Sequence, residues 1–486
     1  MMTRDESETS TRQRALVLQG GGALGAYDAG VFQALYENIN KKDDSPLFDI
    51  VAGTSSGAMN SAILVSNAKE KNWDYAADRL NKFWNFVSRD ENGKKIGIER
   101  GGLGLLTEDA RRYYSAKQFL CSGVPHVFSP LFSTPCLPFI GPPRFDTRFF
   151  DNVVLPNNIW YTYSNQPLKA SLEKFINFPI KTSYKSNQPR LLIVSVDVQE
   201  GAVVTFDSYA KDVNDTIRES TYGDFIRPPG EQSDDDQSKG HYKYAISYPD
   251  GIEPQYVMAS GSVPINYDYT EINGINELQT LDDQGNATFN KVSRYFWDGG
   301  ILSNTPLREL IQAHKDYWFT VKGKEQETAI VPDLDVYIVD VWPTKEKGIP
   351  WDHDGVSNRK EDLLLNDKTD YDKKVADMVS DYIDFARRLK DLAVEATNAV
   401  ADVNKKKKLE KNLKDILKTK GKSSHRTDGH RNYQDLLNGR FDINVITIER
   451  INNVFYDISN KMFDYSSDTI KQLMDDGRDD ALKIIR

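Results

Sequence analysis

Near its start the chain is punctuated by glycine in a way that admits few folds. Apolar Ala15–Gln19 runs into Gly20-Gly21-Gly22-Ala23-Leu24-Gly25, and a helical stripe of Val31, Ala34 and Leu35 follows within Tyr27–Asn38. The pattern then recurs. Phe48–Ala52 leads to Gly53-Thr54-Ser55-Ser56-Gly57, and Ser56–Ala68 reads as a second helix. Short apolar runs alternating with helices predict parallel strands, because a parallel pair needs a crossover that lays a helix on the sheet. Leu191–Val198 and Leu334–Val341 read as further strands. The expected fold is α/β, with three layers α/β/α around a mostly parallel central sheet and a helical C-terminal extension.

The expected boundaries follow composition. Residues 1–12 are a polar tail expected to be disordered. Residues 13–345 form the α/β domain, with insertions near 88–190 and 222–242. Residues 346–486 form a helical C-terminal region. Within the first insertion, 124–156 holds seven prolines among Phe128, Leu131, Phe132, Leu137, Phe139 and Ile140, which excludes a helix or central strand there. Residues 222–242 read as a polar loop. From Val375 the apolar positions 378, 379, 382, 385, 386, 389, 393, 396 and 400 follow a helical period. Residues 405–426 carry ten basic side chains against two acidic ones, with Leu409, Leu413, Ile416 and Leu417 on one helical face.

Charge and cysteine content narrow the function. Lys plus Arg is 62 and Asp plus Glu is 72 in 486 residues, a net charge of −10. That field opposes general nucleic-acid binding. Two cysteines, Cys121 and Cys136, exclude a disulfide framework; they can form one bridge, and two reduced thiols is the simpler reading. Six histidines show no metal-ligand spacing, so no metal is expected. The apolar stretch Ala15–Leu35 is interrupted by five glycines and Asp28, which argues against a signal peptide or a membrane span. The expected location is cytoplasmic, with peripheral membrane contact as an option through 124–156 or 405–426. The competing readings of those segments are a packed insertion and a solvated helix face.

Three short motifs carry chemistry. Gly20–Gly25 is a G-x-G-x-x-G between strand and helix, where backbone amides can approach an anion closely. Gly53–Gly57 is a G-x-S-x-G, the signature of a sharp strand-to-helix turn that presents a serine Oγ. Asp298-Gly299-Gly300 follows apolar Tyr295-Phe296-Trp297 and presents a carboxylate at a strand end. A nucleophile needs a base, and a developing oxyanion needs fixed donors. No histidine is framed by a strand end and glycines as Asp298 is; His241 comes nearest, yet lies in the polar insertion. Direct pairing of Ser55 with Asp298 is therefore expected. A nucleotide-binding oxidoreductase would require an acid where the second strand ends, and Gly53-Thr54-Ser55 stands there instead.

The segments LVLQGGGALGAYDAGV (16–31), VAGTSSGAMNSA (51–62), VMASGSVP (257–264) and FWDGGILSNTPL (296–307) resemble the patatin-like phospholipases of bacterial type. That family comprises lipid acyl hydrolases with a Ser–Asp dyad. The resemblance covers about residues 13–345. It implies Ser55 as nucleophile, Asp298 as base, and the amides of Gly21, Gly22 and Ala23 as oxyanion hole. Gly20, Gly25, Gly53, Gly57, Gly299 and Gly300 match the motif glycines. The implied substrate is a phospholipid or other acyl-ester lipid, with no cofactor. Leu24 departs from the pattern, because plant and animal members commonly carry Arg or Lys there. The alternative is a catalytically silent scaffold that keeps the fold and uses its C-terminal helices as an interface.

Overall fold

The computed structural model describes residues 12–39, 46–70, 72–98, 107–131, 160–226, 241–318, 331–345, 348–366, 369–419, 432–438, 441–450 and 458–485. Ten strands form one sheet: β1 (Gln13–Leu18), β2 (Ile50–Thr54), β3 (Arg190–Asp197), β4 (Ala202–Asp207), β5 (Glu219–Ile226), β6 (His241–Ser247), β7 (Thr270–Leu281), β8 (Ala287–Asp298), β9 (Leu334–Asp340) and β10 (Ile443–Glu449). Their order is β10-β9-β1-β2-β3-β8-β7-β6-β5, with β4 paired to β3 off that path. The strands from β10 to β3 are parallel, and the remaining ladders are antiparallel.

Side chains alternate across the parallel strands, so each strand serves two cores. Leu16, Leu18, Val51, Leu191, Ile193 and Val339 pack under α1 (Gly25–Asn38), α2 (Ser56–Ala68) and α3 (Trp73–Val87), and α4 (Glu108–Ser122) adds Phe119 to the same core. Val17, Ile50, Ala52, Leu192, Val336 and Ile338 pack on the opposite face. There they meet Leu307 and Leu310, which belong to α5 (Leu307–Asp316). The three layers expected from the sequence are these.

One register detail positions the chemistry. β4 pairs with residues 192–197 of β3 and so occupies one edge of it. β2 and β8 must then share the other edge: β2 pairs with residues 190–194 and β8 with 195–197. Thr54 stands opposite Val194, and Asp298 stands opposite the next residue, Ser195. The two strands arrive from opposite directions and end face to face.

The segment after residue 346 is more deeply joined to the sheet than its composition suggests. Helices α6 (His353–Leu365), α7 (Thr369–Asn398) and α8 (Val403–Lys418) are present as a helical region. The chain then returns, adding β10 beside β9 and docking α9 (Ser467–Ile485) on α1. The docking is close. A Cβ on Gly30 would stand 1.8 Å from Met474 O, and one on Gly477 would stand 2.2 Å from Tyr27 O. Gly30→Ala is therefore expected to lower stability by about 2 kcal/mol or more, as overpacking of a tight contact does. Urea unfolding checks this, and an unchanged midpoint would refute the close crossing.

Other expectations are modified locally. The polar loop at 222–242 is flanked by strands: β5 and β6 form an antiparallel pair, and 227–240 between them lies outside the described residues. Most of 124–156 also lies outside them, as does the tail 1–11. Cys121 is disulfide-bonded, against the simpler reading of a reduced thiol, and Cys136 is outside the described residues. The stripe on α7 is helical as expected, yet Met378, Val379, Tyr382, Phe385 and Leu389 on it are exposed.

Candidate active site

Ser55 occupies the turn between β2 and α2 with φ 55° and ψ −124°. Such a conformation costs a non-glycine residue about 1–3 kcal/mol and persists only where neighbours hold it. Here the neighbours are backbone. A Cβ on Gly53 would meet Gly57 O at 2.2 Å, and one on Gly57 would meet Leu18 O at 2.2 Å. Both glycines let β1, the turn and α2 approach within contact. Ser55 N donates to Ser260 Oγ at 2.9 Å, and that hydroxyl donates to Val194 O at 2.6 Å. Thr54 Oγ1 donates to Ser303 O at 2.9 Å, tying the turn to the loop after Asp298.

Asp298 closes β8 and starts the short turn Gly299–Ile301. Its N donates to Ser262 O at 2.9 Å. Its Oδ1 accepts from Gly300 N at 2.7 Å, whereas Oδ2 makes no completed hydrogen bond. The residue is only 4% exposed. Burial pushes its pKa up from 3.8 to about 7, against the opposing pull of the Ser55 side chain and the Gly300 amide.

The glycine loop leaves β1 beside the same edge. Gly22 has φ 58°, and a Cβ there would lie 2.5 Å from Met462 O. Gly21 differs from the expected set of three donors, because its amide already donates to Ser56 Oγ at 3.0 Å. Among the described residues no side chain accepts from the amides of Gly22 or Ala23. Gly25 opens α1, and its carbonyl accepts from Asn60 Nδ2 at 2.8 Å. Asn60 also binds Asp28 Oδ2 and accepts from Trp84 Nε1, which locks α1, α2 and α3 together behind the loop.

A pocket of about 580 Å³, counting its open mouth, reaches inward from Gly22 and Ser55. Met59, Phe83, Trp84, Val87, Leu168 and Phe463 make most of its wall apolar. Of the histidines, none among the described residues lines it. His314 is buried against Pro332 O, and burial lowers its pKa to about 3. His126 stacks on Phe86, and His241 pairs with Phe289.

Several residues that build this site escaped notice in the sequence. Ser260 stands inside VMASGSVP, a segment quoted for its resemblance but given no role. Asn304 donates Nδ2 to Gly20 O at 3.1 Å, and Gln19 bonds Thr305 Oγ1, so 303–305 tie the three loops together. Met462, Phe463 and Tyr465 reach the pocket from the far end of the chain. Among the described residues no group of three or more His, Cys, Asp or Glu could hold a metal ion.

A family model described as patatin-like phospholipase matches residues 16–311. Comparison with curated protein sequences gives no match. Solved structures that match at low identity include VipD from Legionella pneumophila, at 12% identity over 98% of this chain and 67% of that one, with a TM-score of 0.30. Human GIVD cytosolic phospholipase A2 matches at 10% identity over 70% of this chain and 44% of that one, TM-score 0.28. The same human enzyme with methyl gamma-linolenyl fluorophosphonate matches at 13% identity over 43% of this chain and 24% of that one, TM-score 0.20.

Proposed function

Since the chain belongs to the patatin-like phospholipase family, we propose that it hydrolyses fatty-acyl esters of lipids through Ser55 and Asp298. The observation that carries this reading is the shared edge of β3, which brings the strained Ser55 turn against a buried carboxylate with one oxygen unoccupied. Ser55 Oγ attacks the ester carbonyl while Asp298 Oδ2 takes its proton. The carbonyl C–O π bond breaks, and the resulting oxyanion is held by the Gly22 and Ala23 amides and by the N-terminus of α2. Collapse of that intermediate expels the alcohol, which takes the proton from Asp298. Asp298 then takes a proton from water as it attacks the acyl-enzyme carbonyl, and collapse breaks the acyl–Oγ bond, releasing the fatty acid and returning the proton to Ser55 Oγ. A carboxylate with a pKa of about 7 is a far better base for this than one at 3.8.

The apolar pocket is suited to the acyl chain, which favours ester lipids over polar esters. A lipid-panel assay tests the reading, using phospholipid, lysophospholipid and galactolipid substrates with wild-type protein and Ser55→Ala in parallel. Fatty-acid release from at least one ester lipid, lost in the variant, is expected. Release that persists in the variant would overturn it.

Peripheral membrane contact is a separate part of the proposal. Among the described residues no helix is long and apolar enough to cross a membrane. In α8, Lys405, Lys407, Lys408, Lys411 and Lys414 are exposed. Ser380 of α7 bonds Phe441 O just before β10, at the end of the parallel strands opposite the end that carries Ser55. Contact through α8 would therefore tether the protein rather than aim the pocket mouth. Replacing Lys405–Lys408 by glutamine is expected to weaken pelleting with anionic vesicles tenfold or more, at about 1 kcal/mol per basic residue near such a surface. Unchanged pelleting would favour a solvated helix face.

A further inference from the structure

We infer that Lys461 is a positioning residue for the glycine loop, acting with Asp362 through Trp342. This inference rests on the reading of Ser55 and the loop amides given above. It concerns residues outside the 16–311 segment that the family model covers.

Gly20 O is the fixed point of the loop. It accepts from Trp342 Nε1 at 2.6 Å and from Asn304 Nδ2 at 3.1 Å. The same planar peptide unit carries Gly21 N, which donates to Ser56 Oγ at 3.0 Å. One rigid unit is thus pinned at both ends, and it sets the entry to the short turn Gly22–Leu24, whose amides are the proposed oxyanion donors. If the Gly20 carbonyl rotates, the donors behind it rotate too.

Trp342 is in turn held from below. Lys461 Nζ lies 5.1 Å from the Trp342 ring centroid, and Lys461 and Asp362 form an ion pair with both side chains fully buried. A buried ammonium is tolerated only with such a partner, and its charge attracts the indole face. The turn that carries Lys461 is itself bound to α6. Ser459 N donates to Asp354 Oδ2 at 3.1 Å, and Asn460 N donates to Glu361 Oε2 at 3.2 Å. Asp354, Glu361 and Asp362 share one face of that helix, at spacings of seven and eight residues. The next residue, Met462, brings its carbonyl against Gly22. The late segment thus touches the loop by two routes, through the indole to Gly20 and through its own backbone to Gly22.

The test separates positioning from simple folding. Wild type, Trp342→Phe, Lys461→Met, Lys461→Arg and the Trp342→Phe/Lys461→Met double variant are assayed on a soluble short-chain p-nitrophenyl ester, with thermal melting run on each. Trp342→Phe keeps an aromatic ring and removes the Nε1 donor together with the five-membered part of a fully buried indole, so its melting temperature is read beside its kcat to separate lost packing from a lost donor. It is expected to lower kcat about 10–100-fold with KM within threefold, since misplacing oxyanion donors acts on the transition state. Lys461→Met is expected to do the same, Lys461→Arg to recover most of the loss, and the double variant to lose little more than the worse single one. Unchanged kcat in Trp342→Phe would overturn the inference, as would a loss carried wholly by KM. Should Lys461→Met fail to fold, Trp342→Phe decides alone. Ser55→Ala keeps the two readings apart. Activity surviving there sinks the nucleophile assignment, whereas an inactive Ser55→Ala beside a fully active Trp342→Phe sinks only the role of Lys461.

Discussion

Ser55→Ala is expected to lower ester hydrolysis by roughly 10⁴-fold or more, with the melting temperature little changed. Loss of a nucleophile in enzymes of this kind leaves only what binding and oxyanion stabilisation supply. The fold should tolerate the change. Ser55 makes its structural contact through its backbone amide to Ser260, and alanine keeps that donor. The φ of 55° is imposed by the close approach of Gly53, Gly57 and Leu18, not by the serine hydroxyl. Steady-state kinetics on a lipid ester together with a melting curve check both halves. A variant that stays folded and keeps substantial activity would remove Ser55 from the reaction.

Asp298→Asn is expected to have two effects of opposite sign. Activity should fall by about 10³-fold or more, because an amide cannot accept the Ser55 proton. The wild-type rate should rise with pH through about 7, where Asp298 ionises, and level off above it; the variant should lack that limb. Stability should move the other way. In the unfolded chain the carboxyl ionises near 3.8, and in the native state near 7. Below both values it is protonated in either state and costs nothing. Between them the unfolded state alone gains charge, so native stability falls as pH rises, reaching a penalty of about 4 kcal/mol above pH 7. Asn carries no such penalty. The variant should therefore be more stable than wild type at pH 8, by up to a few kcal/mol, with the difference shrinking toward pH 4. Urea unfolding at several pH values checks this, and a variant less stable than wild type at pH 8 would contradict the burial of an ionisable Asp298.

The parts of this molecule legible in the sequence are those whose physics is local. Ser56–Ala68 was placed to the residue, because a glycine-bounded turn and an apolar helix follow one another directly. The strands near 15, 50, 191 and 334 appeared because strands buried on both faces read as continuous apolar runs. β10 did not. Ile443–Glu449 is an edge strand in which only Ile448 is buried, and its sequence INVITIE lies in a region dominated by charge. The docking of α9 is not legible for another reason. Its packing on α1 depends on Gly30 and Gly477, small residues that matter only once both helices are placed. At the site, Ser55 and Asp298 could be named because each sits in a glycine-framed strand end. Their neighbours could not. Ser260, Asn304 and Trp342 reach Ser55 and Gly20 through hydrogen bonds across more than two hundred residues of chain, and no periodicity marks them. The engagement of Gly21 by Ser56 is likewise a matter of which way one amide points.

Ser55 as the nucleophile of a lipid-ester hydrolase is open to direct chemical trapping. The most direct measurement is labelling of the full chain with a long-chain alkyl fluorophosphonate, followed by mass spectrometry of the peptides. The phosphorus takes the place of the ester carbonyl, fluoride leaves, and the Oγ–P bond remains. One adduct is expected, on Ser55, formed much more slowly in Asp298→Asn and absent in Ser55→Ala. An adduct on another residue, or no adduct on folded protein, would contradict it.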